Sequence, residues 1–272
     1  MPELPEVETV KKGLIEKVKG RTIIRCRVLW DGIIAYPSKE EFVKEIANQT
    51  INDITRRGKF LMFILDDYYL ISHLRMEGKY FIKDYDEPLS KHDHVIFTLD
   101  NAEELRYNDT RKFGKMHLVK KDELAKTPIA KLGKEPWDEE LTSEYLSRKM
   151  NNKKAIKTLL LDQSIITGIG NIYADEILFL SKIHPETRGC DLTKKNLLDI
   201  IENTRNILAK AIEKGGTTIH SYTAVNGITG LFQQELLVHG KKDELCPNCK
   251  TKIVKIVVGT RGTYYCPKCQ KK

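Results

Sequence analysis

Apolar residues first recur at helical spacing: Leu4, Val7, Val10, Leu14 and Val18 share one stripe, which predicts a helix at the start of the chain. From Arg21 to about Val119 the period shortens. Thr22–Trp30, Phe60–Leu65, Tyr68–His73, Lys79–Ile82, Val95–Leu99 and Met116–Val119 are short runs rich in β-branched and aromatic residues, separated by Asp, Gly and Asn. They predict a sandwich or barrel. Thr127-Pro128, Gly133 and Pro136 mark a connection between domains. Helical spacing returns in Leu141–Met150, Lys153–Leu161, Ile172–Leu180 and Leu192–Glu213, with a turn holding His184-Pro185 and Gly189 before the last of these. The expected class is a multi-domain α+β protein divided as 1–130, 131–240 and 241–272.

A chain of 272 residues, 40% apolar, can fill more than one core. No run approaches the roughly 18 apolar residues of a membrane span, and acids stand where a secretory signal carries basic residues. The expectation is a soluble, cytoplasmic protein that does not engage membranes. Of the net charge of +8, most sits at the end: Lys241–Lys272 carries nine Lys and Arg against Asp243 and Glu244. A polyanionic partner fits this placement, with a solvated tail as the plainer alternative.

The same segment holds Cys246-Pro-Asn-Cys249 and, after sixteen residues, Cys266-Pro-Lys-Cys269. Paired CxxC knuckles at this spacing predict a zinc ribbon around a β-hairpin, with two local disulfides as the alternative. Four thiolates leave a zinc ion no open position, so one structural zinc and no catalytic metal are expected. Arg261 lies between Gly259 and Gly262 at the hairpin tip, flanked by Lys252, Lys255 and Lys268, a composition suited to phosphate. Cys26 and Cys190 stand alone and are expected as buried thiols.

Pro2 carries a second line of chemistry. Loss of Met1 would expose a secondary amine at a helix start, where the positive end of the dipole disfavours an ammonium and favours the neutral nucleophile. Glu3 and Glu6 lie three apart, on one helix face near that amine, as acid and charge partner. The structural alternative is a proline-started helix whose first-turn acids merely complement the dipole.

Met-Pro-Glu-Leu-Pro-Glu-Val-Glu-Thr, residues 1–9, resembles the start of the bacterial formamidopyrimidine-DNA glycosylases. The resemblance continues in order through Ser72–Gly78, Lys91–His94, Asn108–Gly114, Gly168–Tyr173, Gly215–Thr218 and the cysteine ribbon. It implies an N-terminal helix plus β-sandwich, a helix-two-turn-helix domain and a β-hairpin zinc finger. It also implies a monomeric, bifunctional glycosylase and AP lyase acting on double-stranded DNA that contains oxidised purines or abasic sites. Pro2 would attack the sugar C1′ and Glu3 would act as the acid, with Glu6 beside them. Lys59 would serve β-elimination and Arg261 δ-elimination. Asn171, His73, His92 and Lys153 would contact DNA, Met76, Arg111 and Phe113 would fill the space left by the flipped base, and Arg111 would select the opposite cytosine. Glu77, Thr217, Thr218, Ser221 and Tyr222 would contact the lesion base. Lys112, His220 and His239 depart from the pattern, where arginine, arginine and tyrosine are usual.

Three other readings compete. The sister endonuclease VIII group shares the nucleophile but prefers oxidised pyrimidines; Leu4 and the Arg111–Phe113 arrangement argue against it. A non-catalytic zinc-ribbon DNA binder leaves the N-terminal proline unexplained, and an N-terminal-proline tautomerase leaves the ribbon unexplained.

Overall fold

The computed structural model describes residues 1–217 and 230–272. The chain divides into two compact units, Met1–Lys131 with Gly215–Leu231, and Leu132–Lys214 with Phe232–Lys272.

In the first unit, α1 (Leu4–Val18) buries Leu4, Val7, Val10, Leu14 and Val18, the stripe its spacing predicts. It is followed by β1 (Thr22–Val28), β2 (Ile34–Tyr36), α2 (Lys39–Ile46), β3 (Gln49–Thr50), β4 (Asp53–Arg57), β5 (Phe60–Ile64), β6 (Tyr68–His73), β7 (Lys79–Asp84), β8 (Asp93–Leu99), β9 (Glu103–Asn108) and β10 (Lys115–Lys120). The strands form two five-stranded sheets, ordered β3-β1-β8-β9-β7 and β2-β10-β6-β5-β4. Val7 and Leu14 share one core with Cys26, Phe63, Tyr80, Phe97 and Tyr107, so the helix is packed into the sandwich it precedes. Burial raises the Cys26 thiol to about 12, which keeps it protonated and inert.

Helix α2 was not anticipated from its residues, although Ser38 accepts from Glu41 N–H at 3.2 Å and Phe42 and Ile46 are buried four residues apart. Strand β9 was hidden for another reason. Its Leu105 and Tyr107 enter the core, while Glu104 and Arg106 are buried on the opposite face and pair at 2.8 Å, so only two apolar positions mark the strand.

The second unit holds α3 (Ser143–Met150), α4 (Ile156–Leu160), α5 (Asn171–Leu180) and α6 (Lys194–Glu213), then the hairpin β11 (Val254–Val258) and β12 (Arg261–Tyr265). Phe179 of α5 packs with Val238, Cys246, Ile253 and Cys266, so the ribbon grows out of the helical core. Gln270 fastens it further, accepting from Cys266 N–H at 2.9 Å and donating to the Ile183 carbonyl at 3.0 Å. Cys190 is exposed rather than buried, because the short turn carrying it runs along the surface. Among the described residues no helix is long and apolar enough to cross a membrane.

Candidate functional site

The first cluster is built on the head of α1. Pro2 is buried, and Met1 ahead of it is 45% exposed. Glu3 and Glu6 are buried at 2% and 4% exposure. The Glu3 N–H donates to Glu6 Oε2 at 2.8 Å, while Glu6 Oε1 accepts from Thr217 N–H at 2.7 Å and from its hydroxyl at 3.0 Å. Glu6 is therefore committed as an acceptor, joining the helix head to the segment after Gly215. The sequence held no signal for a partner 211 residues away.

Lys59 sits in the two-residue turn between β4 and β5 and is only 5% exposed. Arg56 orients that turn by donating to Glu8 of α1 at 3.0 Å and to the Gly58 carbonyl at 2.9 Å. The Glu8 carboxyl, half-buried, is raised by desolvation but held below its usual value by Lys11 and Arg56. A half-buried ion pair thus ties the helix that follows Pro2 to the turn bearing Lys59. Across the β5–β6 pair, Phe60 faces His73 with ring centroids 4.5 Å apart. Burial, with Arg75 and Lys59 nearby, lowers His73 to about 3. Its Nδ1 accepts from Arg75 N–H at 2.9 Å, so the neutral ring carries its proton on Nε2 as a donor.

Met76 and Glu77 lie on the 74–78 turn, Arg111 and Phe113 on the 109–114 turn, and both turns close on Tyr107. A Cβ at Gly78 would stand 2.2 Å from the Tyr107 hydroxyl and one at Gly114 only 1.7 Å, so nothing larger than glycine fits at either place. Asp109, fully buried, accepts from the N–H groups of Arg111, Phe113 and Gly114, each at 2.9 Å. Arg111, Lys112 and Phe113 are exposed, and the Arg111 guanidinium lies 4.9 Å from the Phe113 ring centre. Glu77 accepts from the Thr110 hydroxyl at 3.0 Å, joining the two turns. His92 is half-buried and its carbonyl accepts from Asp109 N–H at 3.0 Å. Thr217 is buried against Glu6; Thr218, His220, Ser221 and Tyr222 lie outside the described residues.

In the second unit, Asn171 begins α5 behind Gly168 and Gly170. Its Nδ2 donates to the Gly262 carbonyl at 3.0 Å, and its buried Oδ1 has no partner among the described residues. Asn171 thereby anchors the tip that presents exposed Arg261. Beneath it, the buried Lys157 ammonium donates to the Asn171 carbonyl at 2.9 Å and to Asp175 at 2.5 Å, and His239 Nδ1 lies 2.7 Å from the other Asp175 oxygen. Adjacent Glu176 accepts from the N–H groups of Leu237, Val238 and His239. Two acids inside an otherwise apolar helix were the sequence signal for this network, since buried carboxylates require partners. Lys153 is exposed on a groove of about 710 Å³ lined also by Lys182, Arg188 and Lys271.

The sulfur atoms of Cys246, Cys249, Cys266 and Cys269 all lie within 4.8 Å of one another. Four convergent cysteines, two of them buried, fit one tetrahedral zinc ion holding the hairpin.

Three family models cover most of the chain: the formamidopyrimidine-DNA glycosylase N-terminal domain over residues 1–116, the formamidopyrimidine-DNA glycosylase H2TH domain over 132–223, and a zinc finger found in FPG and IleRS over 240–272. The formamidopyrimidine-DNA glycosylase of Bacillus subtilis is 50% identical over the full length of both chains. A Lactococcus lactis FPG variant in complex with Fapy-dG containing DNA superposes with a TM-score of 0.94 at 41% identity, covering 100% of each chain. The L. lactis enzyme with abasic-site DNA gives 0.93 at 40% identity, covering 99% of this chain and 100% of the other. The chain belongs to the formamidopyrimidine-DNA glycosylase family.

Proposed function

We propose that the protein is a bifunctional DNA glycosylase and AP lyase that removes oxidised purines from duplex DNA, acting as a monomer in the bacterial cytoplasm. The observation that carries this reading is the head of α1, where buried Pro2 stands beside the buried carboxyl groups of Glu3 and Glu6, the latter accepting from the Glu3 N–H. Once Met1 is removed, the Pro2 nitrogen lone pair forms a bond to C1′ of the damaged nucleotide. The glycosidic bond breaks and its electron pair leaves with the base, while Glu3 delivers a proton to the opening sugar. The Pro2 N–H proton passes to the departing base, the C1′–O4′ bond breaks with its oxygen keeping the Glu3 proton, and an iminium forms between Pro2 and C1′. That cation acidifies C2′–H, whose loss expels the 3′ phosphate, and through the new C2′–C3′ double bond it acidifies C4′–H, whose loss expels the 5′ phosphate. Lys59 serves the first elimination and Arg261 the second.

Glu6 holds the Glu3 backbone and Thr217 in place rather than moving protons. Asn171, Lys153, His73 and His92 contact the DNA backbone. Neutral His73 offers an Nε2–H to a phosphate oxygen, a hydrogen bond that needs no protonation. Met76 and Phe113 replace the stacking lost on base flipping, and Arg111, a donor only, suits the acceptor edge of cytosine and conflicts with the donor edge of adenine. Glu77 and Thr217 are assigned to contact with the flipped base, an assignment shared by Thr218, Ser221 and Tyr222, which lie outside the described residues.

The test is strand cleavage of matched duplexes carrying 8-oxoguanine opposite cytosine, 8-oxoguanine opposite adenine, a formamidopyrimidine, or thymine glycol. Cleavage of the purine lesions, favouring cytosine opposite and leaving a gap with phosphate on both ends, is expected. Faster cleavage at thymine glycol would assign the protein to pyrimidine repair instead.

A further inference from the structure

We propose that Trp30 is a positioning residue for opposite-base selection, acting through Lys112 on the turn that presents Arg111 and Phe113. The proposal rests on the reading that these two side chains enter the duplex. Lys112, between them, has a left-handed backbone, φ 58°, a conformation that side chains other than glycine and asparagine rarely adopt. Its ammonium lies 4.1 Å from the centre of the Trp30 ring, a cation–π contact with the aromatic side chain best suited to one. With Lys112 held there, Arg111 and Phe113 stack on each other at 4.9 Å.

The Trp30 ring is itself held. It lies against Gly32 so closely that a Cβ at residue 32 would stand 2.7 Å from the indole nitrogen. The carbonyl of Gly32 accepts from Lys115 at 2.5 Å, one residue beyond the turn. His94 joins the same two segments from within: its carbonyl accepts from Leu29 N–H at 2.8 Å and Trp30 N–H at 3.4 Å, and its ring Nε2 donates to the Asp109 carbonyl at 2.8 Å. The 29–33 segment is therefore fastened to the 109–115 segment at three places, through buried His94 and, at the surface, through Lys115–Gly32 and Trp30–Lys112, Trp30 being 43% exposed. His94 and Lys115 hold the two ends of the turn, Asp109 and Lys115. The Trp30–Lys112 contact alone grips its crown, where Arg111 must meet one base and not another.

The experiment compares single-turnover excision of 8-oxoguanine opposite cytosine and opposite adenine in the full-length protein, with cleavage of a plain abasic site as the reference. Trp30→Ala and Lys112→Met should each lower the cytosine-over-adenine ratio about three- to fivefold, the effect one exposed cation–π contact can carry, with abasic-site cleavage unchanged. Lys112→Arg should keep the ratio, Trp30→Phe should fall between, and the double variant should be no worse than either single one. Thermal unfolding of each variant separates this effect from misfolding, and Trp30→Phe keeps the test open if Trp30→Ala does not fold. An unchanged ratio in Trp30→Ala, or an equal loss opposite both bases, would overturn the proposal while leaving the glycosylase reading intact. A wild-type protein that cuts opposite both bases equally would overturn the Arg111 reading and this proposal together.

Discussion

Glu6 accepts three hydrogen bonds through two oxygens, and all three donors belong to groups placed at the proposed reaction centre. Glu6→Gln replaces one acceptor oxygen with a donor that must face an existing N–H or hydroxyl. It is expected to cost about 1–3 kcal/mol of stability and at least tenfold in base excision, read by thermal unfolding and single-turnover kinetics; a variant matching wild type in both would remove Glu6 from the site. His73 makes a different prediction. Its folded-state value is lowered from 6.5 to about 3, so the unfolded chain binds the extra proton and stability falls as pH drops below 6.5. At about pH 5 the loss reaches roughly 2 kcal/mol, and His73→Gln should flatten that part of the pH–stability curve. Residue-level legibility followed sequence distance. The Pro2, Glu3 and Glu6 grouping was readable because a helix brings neighbours three apart together, whereas Thr217 and the Asn171–Gly262 bond required the fold.

At the scale of elements, the turns carrying Met76 and Arg111 are held by packing on one tyrosine hydroxyl. Gly114→Ala places a methyl where that hydroxyl stands, 1.7 Å away, and is expected to cost about 1–3 kcal/mol from overpacking and to weaken the cytosine preference. Tyr107→Phe removes the obstructing oxygen, so the double variant should regain part of the stability lost by Gly114→Ala; strictly additive losses in denaturant titrations would show that the two do not communicate. The strands with clear alternation and the stripe of α1 were legible in the sequence because one face of each meets a core. Strand β9 escaped because it offers only two core positions, Leu105 and Tyr107, opposite the paired Glu104 and Arg106, and β4 because Ile54 is its one fully buried residue. The capping pair Ser38 and Glu41 was a signal for α2 that short length and few apolar residues obscured.

At the scale of the whole molecule, the clustering of basic residues after Lys241 and the four convergent cysteines belong to one device: a metal-held hairpin that presents Arg261. Its core includes Phe179 of α5, so metal loss should loosen more than the ribbon. A strong chelator, or Cys246→Ser, is expected to remove one zinc ion per chain, lower the unfolding temperature and abolish tight DNA retention; full retention by metal-free protein would contradict this. The cysteine spacing made the metal site legible without any structure, because ligand chemistry permits few other uses of paired CxxC knuckles. Catalysis by the chain start is the central claim, and borohydride trapping tests it most directly. Protein lacking Met1, incubated under borohydride with a duplex carrying 8-oxoguanine opposite cytosine, should yield a reduced protein–DNA adduct that peptide mass analysis maps to Pro2, and Pro2→Gly should sharply reduce its yield. Tight binding with no adduct, or an adduct on a lysine with Pro2 unmodified, would contradict the account.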